Sequence, residues 1–185
     1  EDEYFQNIIN PKISIKISPE HTKNKNESFT RLDVNNVYGL NRLASSDSLV
    51  GGLSITYGNE FKRVSKIDSR ENLVFKIANN MRFDENDDLP KSNQMGQKTS
   101  NFFGEAIFNP NQYFTTKYNF STKNDFDEFT YENISTEFKL NKFETTFDYI
   151  NEEDKQDKVS YFKSEFKYNF NDSNNISFST RENKE

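Results

Sequence analysis

The sequence predicts an all-β fold, an antiparallel up-and-down meander, and three observations carry that expectation. Apolar and polar residues alternate with period two in one segment after another, which places one set on each side of an extended chain. No stretch has the 3.6-residue apolar spacing of a long amphipathic helix, so a helical layer is not available to cover a sheet. The links between alternating segments are by turns short and long, as in a meander whose two ends differ.

The first strand is "PKISIKISP" at 11–19, where Ile13, Ile15 and Ile17 share a face. "LVGGLSITYG" at 49–58 aligns Leu49, Leu53, Ile55 and Tyr57. Its Gly51 and Gly52 suit a bend or bulge, since no helix follows to make them a phosphate loop. "NLVFKI" at 72–77 aligns Leu73, Phe75 and Ile77, and "KTSNFFGEAIF" at 98–108 is a strand of less regular phase. "YFTTKYNF" at 113–120 aligns Phe114, Tyr118 and Phe120, and "NISTEFKL" at 133–140 aligns Ile134, Phe138 and Leu140.

"KFETTFDY" at 142–149 sets Phe143, Thr145, Phe147 and Tyr149 against Lys142, Glu144, Thr146 and Asp148. "SYFKSEFKYNF" at 160–170 sets Phe162, Phe166, Tyr168 and Phe170 against Lys163, Glu165 and Lys167, and "NISFSTR" at 175–181 aligns Ile176 and Phe178. The tight links are 109–111, 141–142 and 171–174, and upstream the link near 62–68 is shorter than the one before it. The long, charged ones are 84–97, 122–127 and 151–157, and the longest is 18–48.

Composition then asks what covers the ring-bearing face. Hydrophobic residues make up 32% of the chain and mean hydropathy is -1.00, which leaves little apolar material for a second layer. Yet 19 Phe and 9 Tyr raise the aromatic share to 15%, against the ring-poor signature of disorder. Burying one Phe or Ile side chain is worth on the order of 1.5–3 kcal/mol, so several per strand demand a cover. In a transmembrane β-barrel that cover is lipid, the charged companions face a wet lumen, and short turns at one end alternate with long loops at the other. The expected architecture is therefore an open curved sheet that is part of a larger transmembrane β-barrel. A nine-strand soluble β-sandwich and another kind of outer-membrane barrel, a porin or receptor, are the alternatives.

The residues that would carry chemistry are few. His21 is the one histidine and cysteine is absent, which removes a His-based triad, a His-pair metal site, a thiolate site and a disulfide framework. "DENDDLP" at 84–90 spaces Asp84, Asn86 and Asp88 like calcium-loop ligands, but Leu89 stands where Gly is needed and Met95 where a bidentate Glu belongs. A solvated acidic loop is the expectation, with no cofactor and no enzyme activity. The net charge of -6 argues against nucleic acid as the main partner. There is no signal peptide and no apolar run approaching the roughly 18 residues of a membrane helix. An odd strand set that begins at Glu1 reads as an internal piece, 1–185 being a partial barrel domain.

The connector "RLDVNNVYGLNRLASSDSLVGGLSITY" at 31–57 resembles the barrel of the lipopolysaccharide (LPS) assembly protein family, LptD. The matching residues are Gly39, Leu40, Arg42, Leu43, Ala44 and Ser45, followed by Gly51, Gly52 and Leu53. Asn41 stands where that family commonly has an acidic residue, which removes half of any ion pair with the Arg. Arg42 is a candidate to pin the connector into the lumen. The resemblance implies the last step of lipopolysaccharide export, at the cell outer membrane of a Gram-negative bacterium. It further implies a barrel plugged by an LptE-like lipoprotein and fed by a periplasmic Lpt bridge through an N-terminal domain outside this segment. The expected lipid-facing residues are Phe114, Tyr118, Phe138, Phe143, Phe147, Phe162 and Phe166. Lys163, Glu165, Glu137 and Lys139 are expected to face the lumen or plug.

Overall fold

The computed structural model describes residues 3–19, 23–43, 45–153, 158–171 and 173–184. They form β1 (Phe5–Ser18), β2 (Gly52–Ser65), β3 (Glu71–Arg82), β4 (Phe102–Asn111), β5 (Phe114–Thr122), β6 (Phe129–Leu140), β7 (Phe143–Glu152), β8 (Val159–Asn171) and β9 (Asn174–Asn183). The nine strands make one sheet in sequence order, each antiparallel to the next, and β1 is not paired with β9. It is thus an all-β, up-and-down meander that remains open, and the two-sheet sandwich is not what the segment forms.

Several strands are longer than the alternation announces. β1 begins at Phe5 rather than near 11, because Asn7, Asn10 and Lys12 pair through their backbones with Arg63, Glu60 and Gly58 as readily as the isoleucines do with their partners. Ladder bonds do not depend on side-chain polarity. Leu49 lies outside β2, which starts at Gly52 with φ 87, a left-handed conformation that glycine adopts without strain. The tight link expected at 109–111 falls instead at 112–113: β4 continues through Pro110 to Asn111, with a register shift between Phe108 and Asn111. Between β6 and β7 the turn holds Asn141 at φ 52, which asparagine tolerates in two-residue hairpins.

The register sorts the side chains. Ile15 pairs with Ile55 and Ile55 with Met81; Phe114 pairs with Phe138, Leu140 with Phe143, Phe143 with Tyr168 and Phe166 with Phe178. One face is therefore apolar, mixing isoleucines with Tyr57, Phe61 and Phe75 over β1–β3 and becoming ring-rich over β4–β9. Gly104 of β4 pairs with Phe120 of β5, and a Cβ there would run into the Phe120 ring. Gly104→Ala is expected to cost about 1–3 kcal/mol as the ring is forced off its seat. Phe120→Leu should recover part of that loss, read as the urea midpoint of the folded protein.

The buried apolar cluster lies on the other face. Leu32, Val34, Val37, Leu43 and Val50 of the β1–β2 connector pack with Leu89 and Met95 of the β3–β4 connector, over Ala78 of β3 and Phe103 of β4. Leu89 and Met95, the two misfits of the calcium-loop pattern, are thus core residues. The β3–β4 connector contains a single 3₁₀ turn, Ser92–Gln94. Asn101 at its end donates to Ser121 Oγ (3.0 Å) and Thr130 Oγ1 (2.8 Å), fastening it to β5 and β6.

Candidate functional site

The site is the sheet itself, with two unlike faces. On the ring-bearing face the side chains are stacked on one another and largely exposed, and at one end Phe126 of the β5–β6 loop stacks on Phe102 (4.7 Å between centroids). Ile17 is 82% exposed, Phe143 60% and Phe178 66%. Phe114 and Phe138 meet at 4.9 Å between centroids, Phe143 and Tyr168 at 4.8 Å, and Phe147 touches both Phe162 (6.1 Å) and Phe166 (5.9 Å). Such contacts hold neighbouring strands together laterally; they do not bury the outward surface. Phe114, Tyr118, Phe138, Phe143, Phe147, Phe162 and Phe166 all belong to this face by register. Tyr118 also donates through its hydroxyl to Glu132 Oε1 (2.8 Å), sheltering a carboxylate on that side.

The opposite face is a charge ladder. Glu60, Lys76 and Glu105 are directly paired across β2, β3 and β4. Glu105, almost fully buried, takes Lys76 at 2.7 Å and Lys117 at 2.8 Å, while Glu60 takes Lys12 at 3.2 Å. Further along, Lys139 pairs with Glu137 (2.8 Å), Lys163 with Glu165 (3.1 Å) and Lys167 with Glu144 (3.4 Å). The lumen candidates Glu137, Lys139, Lys163 and Glu165 therefore share this polar face, where opposite charges on adjacent positions offset each other's desolvation.

Over this polar face runs the β1–β2 connector. Arg31 reaches β7, where its guanidinium grips Glu152 through Nη2 to both carboxylate oxygens (2.7 Å each) and Nε to Oε1 (3.0 Å). The same guanidinium lies 4.4 Å over the ring of Tyr131, the β6 partner of Glu152. From there the chain returns across the sheet. Asn35 accepts from Lys76 of β3 (3.4 Å), and Val37 O accepts from Thr56 of β2 (3.4 Å). Tyr38 comes down on Gly58, whose missing Cβ gives its hydroxyl room. The connector crosses the wall from β7 back to β2, held mainly by side chains of the strands beneath.

The family-like stretch closes that return path. Gly39 donates its amide to Asn36 O (2.9 Å), and Leu40 is exposed but offers its carbonyl to Lys16 Nζ. Asn41 makes a local turn, accepting from the Leu43 amide (3.2 Å) and donating to Ser45 O (3.1 Å). Leu43 enters the buried cluster. Ser45 donates to Asp47, and its hydroxyl, then Lys25 and Lys23, hold the Asp47 carboxyl below the usual range. Ala44 and His21 lie outside the described residues. Arg42 is buried and donates through Nη2 to Ser54 Oγ (3.0 Å). That bond joins the connector to the polar face of β2 through a neutral hydroxyl.

No known family matches this chain, and no curated protein matches it significantly. Function must be argued from the faces. No helix among the described residues is long and apolar enough to cross a membrane. The described residues contain no group of three or more His, Asp or Glu placed to hold a metal.

Sequence reasoning missed the partners that matter most on the polar face: Arg31 with Glu152, and Tyr38 with Gly58. Residues 121 positions apart carry no local signal. The one available hint was the interruption of a strand by a lone glycine, which marks close approach by another part of the chain.

Proposed function

We propose that this chain is part of the wall of an outer-membrane β-barrel of the LPS-assembly (LptD) kind, acting by position rather than by catalysis. A single observation carries the membrane reading: an apolar, ring-rich face extends across nine strands and stands largely exposed, with Phe126 of the β5–β6 loop over Phe102 at one end, while the opposite face is charged and overlain by a connector. Soluble monomers rarely leave an apolar patch of more than a few hundred Å² bare. Membrane lipid supplies the cover at no cost in protein mass, and the ionic ladder then faces water.

In this reading the free edges of β1 and β9 are paired by further strands, because an open edge in hydrocarbon strands its amides and carbonyls. The wall shields acyl chains on its ring side and presents polar groups to sugar and phosphate on the other. An LptE-like plug sits against the charged face, and lipopolysaccharide arrives from a periplasmic bridge through a domain outside this segment. The Gly39–Ser45 resemblance is what favours LptD over other barrels. The folded-in connector, spanning β2 to β7 on the polar side, equally suits a porin-type barrel whose lumen is narrowed by a loop.

The full protein should fold only in detergent or bilayer. A soluble monomer of 1–185 with cooperative melting in buffer would reject the barrel. A photocrosslinker at Glu137 or Lys163 should capture lipopolysaccharide in cells, whereas one at Phe143 or Phe166 should capture membrane phospholipid. Phospholipid adducts at the ring face with no lipopolysaccharide at the polar face would move the assignment to a porin-type barrel.

A further inference from the structure

Three cations converge where the connector meets the long-loop end of the sheet. Lys16, Ser54 and Arg82 lie in one cross-strand row, Lys16 paired with Ser54 and Ser54 with Arg82. Arg42 comes down on the middle of that row through its bond to Ser54 Oγ. Arg42 is 6% exposed and Arg82 4%. The Arg82 guanidinium is turned towards backbone oxygens, Nη2 to Gly51 O (2.7 Å) and Nε to Asp84 O (3.3 Å). Lys16 donates to Leu40 O.

Neither Lys16 nor Arg42 forms an ion pair with a described carboxylate. By contrast, lysines on this face are matched by acids at Glu60, Glu105, Glu137, Glu144 and Glu165. Arg42 Nε, buried, has no hydrogen-bond acceptor. Arg42 and Arg82 each repel Lys16. Burial first, and then Arg82, bring the Arg42 guanidinium down to about 10. Holding like charges together out of water is costly unless an anion joins them. Beside the cluster a cleft of about 390 Å³ is lined by Ile15, Lys16, Ile17, Ser18, Leu40 and Leu49, with one cation among four large apolar side chains.

We propose that Lys16, Arg42 and Arg82, gathered around Ser54, form a binding site for a phosphate-class anion entered through this cleft. Guanidinium and ammonium donors on a hydroxyl-lined floor match the oxygens of a phosphate monoester. The apolar walls of the cleft suit a phosphate carried on an amphiphile, although a free phosphate offers the same oxygens. Only that choice of source rests on the transport reading; the site itself does not.

The test uses the full protein in detergent micelles, titrated by calorimetry with inorganic phosphate, with lipopolysaccharide and with its enzymatically dephosphorylated form. Wild type is expected to bind lipopolysaccharide at least 10-fold more tightly than the dephosphorylated form. Arg42→Gln and Lys16→Gln should each weaken that binding about 10-fold, and Arg42→Lys should retain most of it. Lys16 sits at the exposed rim, so its variant tests the site even where Arg42→Gln disturbs the connector. Binding of inorganic phosphate alone, lost in both Gln variants, keeps the site and removes the amphiphile as its ligand. Absence of binding by either phosphate source, or binding unchanged in both Gln variants, overturns the proposal, while the folding test above continues to judge the barrel separately.

Discussion

Phe147→Arg in the bilayer-embedded protein is expected to lower stability by about 2–4 kcal/mol, whereas Thr146→Arg, one residue earlier, should cost close to nothing. Phe147 is near the middle of the ten-residue β7 and faces outward among Phe162 and Phe166. In the proposed barrel an arginine there would sit at hydrocarbon depth, out of easy reach of either interface, and the two ring contacts would be lost as well. Thr146 points the other way and pairs directly with Glu165. A cation at 146 gains an acidic neighbour in an aqueous setting. Urea titration of both variants refolded into vesicles, followed by far-ultraviolet circular dichroism, reads the difference. Equal costs at the two positions would mean that the ring face meets protein or water, and the membrane reading would be lost.

Removing Arg31 is the second large effect. Glu152 is 2% exposed in its side chain, while Arg31 is 40% exposed. Arg31→Ala therefore deprives a buried carboxylate of a bidentate cation, at roughly 3 kcal/mol. Glu152→Gln leaves the guanidinium able to rehydrate and stay over Tyr131, and should cost about 1–2 kcal/mol. Because both substitutions break the same contact, the double variant is expected to cost little more than Arg31→Ala alone. Limited proteolysis reports the same event locally: cleavage within 23–51 should accelerate in Arg31→Ala while the strands stay protected. Unchanged protection of the connector in Arg31→Ala would show that the apolar cluster around Val37 and Leu89 holds it unaided.

The strand set was legible because period-two alternation is a direct image of a two-sided sheet. Phe143, Thr145, Phe147 and Tyr149 could share a face only in an extended chain, and the β7 register places them so. Boundaries were less so. Asn7 and Asn10 in β1, and Asn79 and Asn80 in β3, extend their strands through backbone bonds that leave no apolar signature. Pro110, which looks like turn punctuation, sits inside β4 beside a register shift, where a missing amide donor is tolerated.

By itself the sequence determined the meander, the sidedness of each strand and the alternation of plain and elaborated ends, since these depend on neighbours in the chain and on turn length. Only the tertiary structure decided what lies on each side: that the 19-to-51 connector folds back over the charged face, that Arg31 finds Glu152, and that Lys16, Arg42 and Arg82 meet at Ser54. Those meetings join residues tens of positions apart whose local surroundings are ordinary loop and strand. Their pairing is set by where the strand register brings charge and connector together, a quantity no local pattern contains.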